Sequence, residues 1–368
     1  MKILEFFGEP LSYGGQETFI LNMYKNFVQD FEYSFITPFL VDNTELIETV
    51  LKKGDGIQGY NYPFESRYRK KYIFKTAVFT INEGYDVAHI HSGSIMTLLL
   101  VSCVAKYKGI KNIIVHSHAT GYNTLSHKII KKISDFLMEK FADTFLACSE
   151  NAGEYKFSSK VINSDKFHVI KNGIDLNRFK FDANLRESKR DELSLNNKTV
   201  ICNIGRFSEE KNHLFLIDIL YDYLKIDKAG FLLLIGGDGA IEEIIRRKIE
   251  RLGLNDNTLI LKNRGDINEL LFASDIFVFP SHFEGLGIAA IEAQAAGLPT
   301  ICSESLPIEL RASRLFKSLP LTASSQKWAE EIKKSVISKK INVTEELRNA
   351  GYDIRECSYK LEEYYIKR

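Results

Sequence analysis

Short runs dominated by Val, Ile, Leu and Phe recur along this chain, separated by longer stretches in which apolar residues return at helical spacing. In the first half the runs are Ile3 to Phe7, Ser34 to Phe39, Val87 to His91, Asn112 to His116, Thr144 to Cys148 and His168 to Ile170. After a break they resume as Val200 to Ile204, Phe231 to Ile235, Thr258 to Leu261, Asp275 to Phe279 and Thr300 to Cys302. Nearly continuous apolar strands alternating with helices predict parallel sheets covered on both faces. The restart predicts an α/β protein of two doubly wound, Rossmann-like domains facing a central cleft. An eight-fold βα barrel is disfavoured by the irregular connector between the halves.

That connector is Ile162 to Asn197. It holds the turn-rich KNGIDLNRF (Lys171 to Phe179) and then a charged stretch, Lys180 to Lys198, with little apolar periodicity. The expected domains are residues 1–170 and 171–350, with regular alternation in the second starting near Lys198. A last helical segment, about Glu345 to Ile366, makes residues 351–368 a candidate to cross back onto the first domain.

With 368 residues, 45% hydrophobic and 26% charged, the chain is long and apolar enough to bury two cores. A net charge of +1 supplies no global field for nucleic acid, so no nucleic-acid partner is expected. The five cysteines are odd in number and lack CxxC spacing, which predicts buried thiols in a reducing compartment. The opening MKILEFFGEP contains no h-region of a signal peptide. The longest apolar stretch, Ile95 to Ala105, is well short of the roughly 20 residues that span a bilayer, and reads as a buried helix. A cytoplasmic protein is expected.

The densest chemistry lies in SHFEGLGIAAIEAQAAGLP, Ser281 to Pro299, after the apolar run DIFVFP. In an open parallel sheet the carboxyl end of a strand is where ligands bind. Here the strand leads into a loop, Glu284, Gly285, Leu286 and Gly287, and then a helix. Its glycines let backbone N–H groups approach an anion, and the helix start adds a positive dipole end. Glu292 lies on an otherwise Ala-rich stretch, where a buried carboxylate needs a partner that a hydroxyl-rich ligand would supply. The second signal is NIGRFSEEKNH, Asn203 to His213. Arg206 and Lys211 flank a turn at a strand's carboxyl end, and together they form a candidate diphosphate clamp. IGGDG (Ile235 to Gly239) reads equally as a phosphate turn or a tight chain reversal.

Together the E-x7-E pair Glu284 and Glu292, GRFSEEKN, IGGDG, KNGIDLNRF and the early GGQE (Gly14 to Glu17) resemble the retaining glycosyltransferases of the GT-B fold, family 4. The likeness runs in order over nearly the whole chain and is nearest to the branch serving bacterial exopolysaccharide and capsule assembly. The resemblance implies that Glu292 binds the donor ribose and Glu284 faces the transferred sugar. It implies that Arg206 and Lys211 hold the diphosphate and that Gly15, supported by Gly14, closes over the phosphates. Asn263 and Arg264, after the strand TLIL, are then candidates for the nucleobase. His118 in HSHATGYN is the candidate at the reacting centre, with His116 read as structural.

His89 and His91 alternate along a strand with no carboxylate adjacent to them and no metal-binding signature, so no metal is expected there. The implied activity is transfer of a sugar from a nucleoside-diphosphate donor, UDP-sugar first, to a glycan or polyprenyl-diphosphate-linked acceptor. Neither a metal nor another cofactor is expected, in agreement with the lack of an Asp-x-Asp element. The rivals are another GT-B enzyme, such as a sugar-nucleotide epimerase or phosphorylase, and a two-domain sugar-binding protein without catalysis. From Arg67 to Lys140 there are twelve Lys or Arg against four Asp or Glu, including RYRKK (Arg67 to Lys71) and HKIIKK (His127 to Lys132). With Tyr68, Tyr72, Ile73 and Phe74 interleaved, this stretch suits peripheral contact with an anionic membrane, or a lipid diphosphate, as well as a plain solvated face.

Overall fold

Each apolar run read from the sequence becomes a strand of one of two parallel sheets in the computed structural model of the chain. The structure describes all residues except 13–14, 119–130, 132–133, 135–136, 238, 337–338 and 367–368. The chain divides into two compact units, Met1–Ile174 with Gly351–Arg368, and Asp175–Ala350.

The first unit contains β1 (Lys2–Phe7), β2 (Glu32–Thr37), β3 (Gly56–Gly59), β4 (Val87–His91), β5 (Asn112–Ser117), β6 (Thr144–Ala147) and β7 (Phe167–Val169), in the order β3-β2-β1-β4-β5-β6-β7. The order reverses between β1 and β4, the switch point beside which such sheets take ligands. Side chains alternate between the faces. Leu4, Phe6, Ala88, Ile90, Ile113 and Val115 pack with Ile73 and Ala77 of the helix Arg69–Thr80 and with the helix Ile95–Tyr107.

On the opposite face, Ile3, Phe7, Val87 and Ile114 pack with Phe19, Ile20 and Met23 of the helix Gly15–Lys25. Ile354, Cys357, Leu361 and Tyr365 of the helix Ile354–Ile366 join the same core. Amid this apolar face sit Glu5, His89, His91 and His116, all fully buried. The register aligns them: Glu5 lies opposite His89, Phe7 opposite His91, and His91 opposite His116. Burial of that many polar groups is tolerable only where they bond one another.

The second unit contains β8 (Thr199–Ile204), β9 (Gly230–Gly236), β10 (Thr258–Lys262), β11 (Ile276–Phe279), β12 (Thr300–Ser303) and β13 (Phe316–Leu319), in the order β10-β9-β8-β11-β12-β13. Its reversal falls between β8 and β11. The charged stretch expected to be irregular contains a helix, Ala183–Glu192, belonging to this unit. Hydrogen bonds and ion pairs hold it instead of an apolar face. Arg186 donates to the carbonyls of Phe272 and Ser274 at 2.6 and 2.8 Å, Lys189 pairs with Asp266 and Glu269, and Arg190 pairs with Asp275. The last helical segment is also two helices, Thr344–Asn349 and Ile354–Ile366, rather than one. Four cysteines are buried as expected, Cys103 is exposed, and none is bridged.

Candidate active site

In the second unit, the loop after β11 and the turn after β8 meet at the carboxyl ends of adjacent strands. Asn212, in the left-handed conformation at φ 56°, donates from its side chain to the Pro280 carbonyl at 3.1 Å. The His282 N–H donates to the Glu210 carbonyl at 2.8 Å, and the Asn203 side chain to the Val278 carbonyl at 2.8 Å. Gly287 precedes the helix Ile288–Ala295 with φ 85°, which only glycine adopts without strain. Leu286 is buried, anchoring the loop that carries Glu284 and Gly285.

Lys211 and Glu284, assigned to separate tasks from the sequence, are brought together. The Lys211 Nζ lies 2.6 and 2.7 Å from the two Glu284 carboxylate oxygens, and their side chains keep only 15% and 9% exposure. A pair this dry resists loss of either partner. Arg206 differs: it is largely exposed and only 4.0 Å from Glu210 at its nearest approach, so its guanidinium is available to an anion. Glu292 is half-buried, and among the described residues the protein offers its carboxylate no hydrogen bond. Burial pushes this carboxyl up to about 7, opposed only in part by the charge of Arg178. An unsatisfied, raised carboxylate is stabilised by hydroxyl donors from a ligand.

The remaining candidates are placed as follows. Arg264 turns onto Asp266, its Nε 2.7 Å from the carboxylate, and so joins the network with Lys189. Asn263 is left-handed at φ 52°, and its N–H donates to the Gly236 carbonyl at 3.0 Å. The glycines of IGGDG have a packing cause: a Cβ on Gly239 would lie 2.1 Å from the Phe207 carbonyl oxygen, so this turn nests against the GRF turn. Asp238 of that motif lies outside the described residues, as does Gly14. Gly15 opens the helix Gly15–Lys25.

In the first unit, His118 follows β5 directly, and its Nε2 lies 2.9 Å from His91 Nδ1. The other ring nitrogen of His91 is 2.6 Å from Glu5 Oε2. His89 reaches His116 at 3.1 Å and the Tyr365 hydroxyl at 2.9 Å, and that hydroxyl donates to Glu5 Oε1 at 2.8 Å. The expectation that no carboxylate adjoins His89 and His91 is corrected here: Glu5 comes from the neighbouring strand. Sequence reading missed Glu5 and Tyr365, although a lone charge inside the apolar run ILEFF was a visible signal. His89, His91 and His116 each bring a possible ligand atom within 4.8 Å of the others. His116 is buried in this network. Residues 119–123 of the HSHATGYN segment lie outside the described residues.

The basic stretch is sorted by the structure. Arg69 turns inward to Glu9 at 3.0 Å and over the Phe64 ring at 3.8 Å, Tyr72 stacks on Tyr62 at 4.4 Å, and Ile73 is core. Lys70, Lys71, Phe74, Lys75 and Phe79 stay exposed on the helix Arg69–Thr80. Most of HKIIKK lies outside the described residues. Among the described residues, no helix is long and apolar enough to cross a membrane.

Comparison with known proteins gives a concordant result. Residues 185–351 match the family described as Glycosyl transferases group 1, and residues 13–178 match Glycosyltransferase Family 4. EpsF of Bacillus subtilis strain 168, provisionally named a glycosyltransferase, is 27% identical over 352 residues, spanning 93% of this chain and 91% of its own. An Escherichia coli protein named UDP-Gal:alpha-D-GlcNAc-diphosphoundecaprenol alpha-1,3-galactosyltransferase is 32% identical over 231 residues, 60% of this chain and 58% of that one. Anabaena HepE, solved in complex with UDP, superposes with a TM-score of 0.78 at 18% identity, covering 99% of each chain. At that identity the likeness concerns the fold.

Proposed function

Because the chain belongs to the glycosyltransferases of group 1 and family 4, with the GT-B fold of two Rossmann-like domains, we propose that it transfers a hexose from a UDP-sugar to a glycan or polyprenyl-diphosphate-linked saccharide, with retention at the anomeric carbon, in surface polysaccharide synthesis. The observation that carries this reading is Glu292, a carboxylate at the ligand end of the sheet that burial raises to about 7 and that no donor among the described residues satisfies. Ribose hydroxyls are the donors it lacks. The likeness to HepE, solved with UDP, favours uridine, and the name of the E. coli relative favours a lipid diphosphate acceptor.

As the bond to the sugar breaks, negative charge grows on the leaving diphosphate, and groups that meet that charge lower the barrier. Arg206, largely exposed and 4.0 Å from Glu210 at its nearest, is a cation available for this task. Lys211 is neutralised by Glu284 without ligand, and gains a second anionic partner when a diphosphate arrives. The N-terminus of the helix Ile288–Ala295 and the amides around Gly285 and Gly287 add partial positive charge. With these groups in place no metal ion is needed. Glu284 then faces the transferred sugar, and His118 serves the acceptor side. The exposed Lys70, Lys71, Phe74, Lys75 and Phe79 give the first unit a surface for peripheral contact with the cytoplasmic membrane face.

The test is a donor panel. UDP, GDP, ADP and their glucose, galactose and N-acetylhexosamine conjugates are screened by thermal shift, followed by UDP release with lipid-linked acceptors. Ligand at 100 times its Kd stabilises by about 2.7 kcal/mol, so UDP compounds should raise the melting temperature clearly. A response to none of the nucleotides would refute the donor reading.

A further inference from the structure

The network beneath the helix Ile354–Ile366 fixes where the hydrogen on His118 sits. Glu5 is fully buried and faces three donors. His91 Nε2 lies 2.6 Å from Oε2, the Tyr365 hydroxyl 2.8 Å from Oε1, and His89 Nδ1 3.2 Å from Oε2. Burial pushes the Glu5 carboxyl up, but the charge of His89 and the hydrogen bonds from His89 and His91 overcome it, holding it far below the ordinary carboxylate range. Glu5 is therefore an acceptor only.

His91 is kept neutral chiefly by burial, which lowers it to about 4, and a neutral imidazole carries one N–H. Its contact with the carboxylate takes that hydrogen to Nε2, leaving Nδ1 as an acceptor. Among the described residues the group at that acceptor is His118 Nε2, 2.9 Å away, which must donate. His118 is neutral for the same reason as His91, burial first and then the neighbouring histidines. Its Nδ1 is thus left as a bare lone pair, and this atom is buried without a partner among the described residues. Phe19 packs against the ring at 5.0 Å between centroids and His116 stacks on it at 4.1 Å, so the ring cannot flip freely.

We propose that Glu5 is a positioning residue that acts on His118 through His91, so that His118 Nδ1 is presented as a fixed acceptor for a sugar hydroxyl, with Tyr365 of the C-terminal helix holding Glu5 in place. This rests on the proposed function only for the identity of the hydroxyl. The hydrogen positions follow from the unliganded protein.

The test labels the histidine rings of the full chain with nitrogen-15 and reads tautomers by long-range proton–nitrogen correlation without substrate. His91 and His118 of the wild type should both carry hydrogen on Nε2. In Glu5→Gln the single amide oxygen cannot serve three donors, and an amide NH2 facing His91 Nε2 moves the His91 hydrogen to Nδ1. His118 should then show hydrogen on Nδ1, and kcat should fall about 10- to 100-fold, the usual range for loss of a group orienting a functional histidine, with the donor KM unchanged. Tyr365→Phe, which keeps the carboxylate, should retain the wild-type tautomers with a smaller loss of kcat. If Glu5→Gln does not fold, the wild-type and Tyr365→Phe spectra still decide. A wild-type His118 with hydrogen on Nδ1, or ring shifts of a metal-bound imidazole that collapse on chelation, would overturn the proposal. So would unchanged kcat in a folded Glu5→Gln. The two readings fail separately, because absence of sugar transfer by the wild type refutes the proposed function and leaves the tautomers to be read.

Discussion

Replacing Glu292 by Gln should stabilise the unliganded protein at alkaline pH while weakening its hold on UDP. Burial raises the folded carboxyl from 4.5 to about 7. Below the unfolded value both states are neutral and the burial has no charge to penalise. As pH rises from about 4.5 to about 7 the unfolded chain ionises first, so stability falls across that window, and the full cost is present above it. The shift corresponds to about 3 kcal/mol, which solvent around a half-buried group reduces to roughly 1 to 3 kcal/mol. Gln has similar volume and no charge. In a unit of this size each kcal/mol moves Tm by about 2 to 4 °C, so the variant should melt roughly 2 to 12 °C higher at pH 8.5 and level with wild type at pH 4.5. Ligand binding has the opposite sign. Ribose hydroxyls bond the ionised carboxylate, a contact worth about 1.5 to 3 kcal/mol, so calorimetric Kd for UDP should rise about 10- to 100-fold in the variant. Wild-type affinity should increase with pH up to about 7, with proton release on binding, and level off above. Equal melting at both pH values together with unchanged UDP affinity would refute the reasoning, since the carboxylate would then be neither strained nor used.

Lys211→Met or Glu284→Gln alone strands a largely buried charge and should cost up to about 3 to 5 kcal/mol by urea denaturation, while the double variant recovers part of that loss. Additive losses would show that the pair is not coupled. Turnover should survive EDTA without added divalent ion, and loss on chelation restored by magnesium or manganese would refute charge neutralisation by side chains alone. Changing Lys70, Lys71 and Lys75 together to Gln should weaken binding to anionic vesicles, most visibly below about 0.1 M salt, with unchanged melting. Arg69 is spared in that variant because its partner is Glu9, and equal vesicle binding would leave the face as ordinary solvated surface.

The sequence by itself determined the two parallel sheets, since short, nearly continuous apolar runs alternating with helical stretches are what strands buried on both faces require. It also exposed the loop from Glu284 to Glu292 and the turn carrying Arg206 and Lys211, because glycine, charge and helix start lie within a few residues of each other. The strands Gly56–Gly59 and Phe316–Leu319 were not legible: both lie at sheet edges, where half-exposed GIQG and FKSL need no apolar pattern. The helix Ala183–Glu192 was missed because its hold on the unit comes from Arg186, Lys189 and Arg190 meeting carbonyls and carboxylates some 80 residues away. Tertiary structure alone decided that Lys211 answers Glu284, that Arg264 answers Asp266 and that Arg69 faces inward. It alone assembled Glu5, His89, His91, His118 and Tyr365. Strand register joins positions more than 80 residues apart, and a C-terminal helix adds the last member. Each of those contacts depends on the distance between side chains, a quantity that local sequence does not contain.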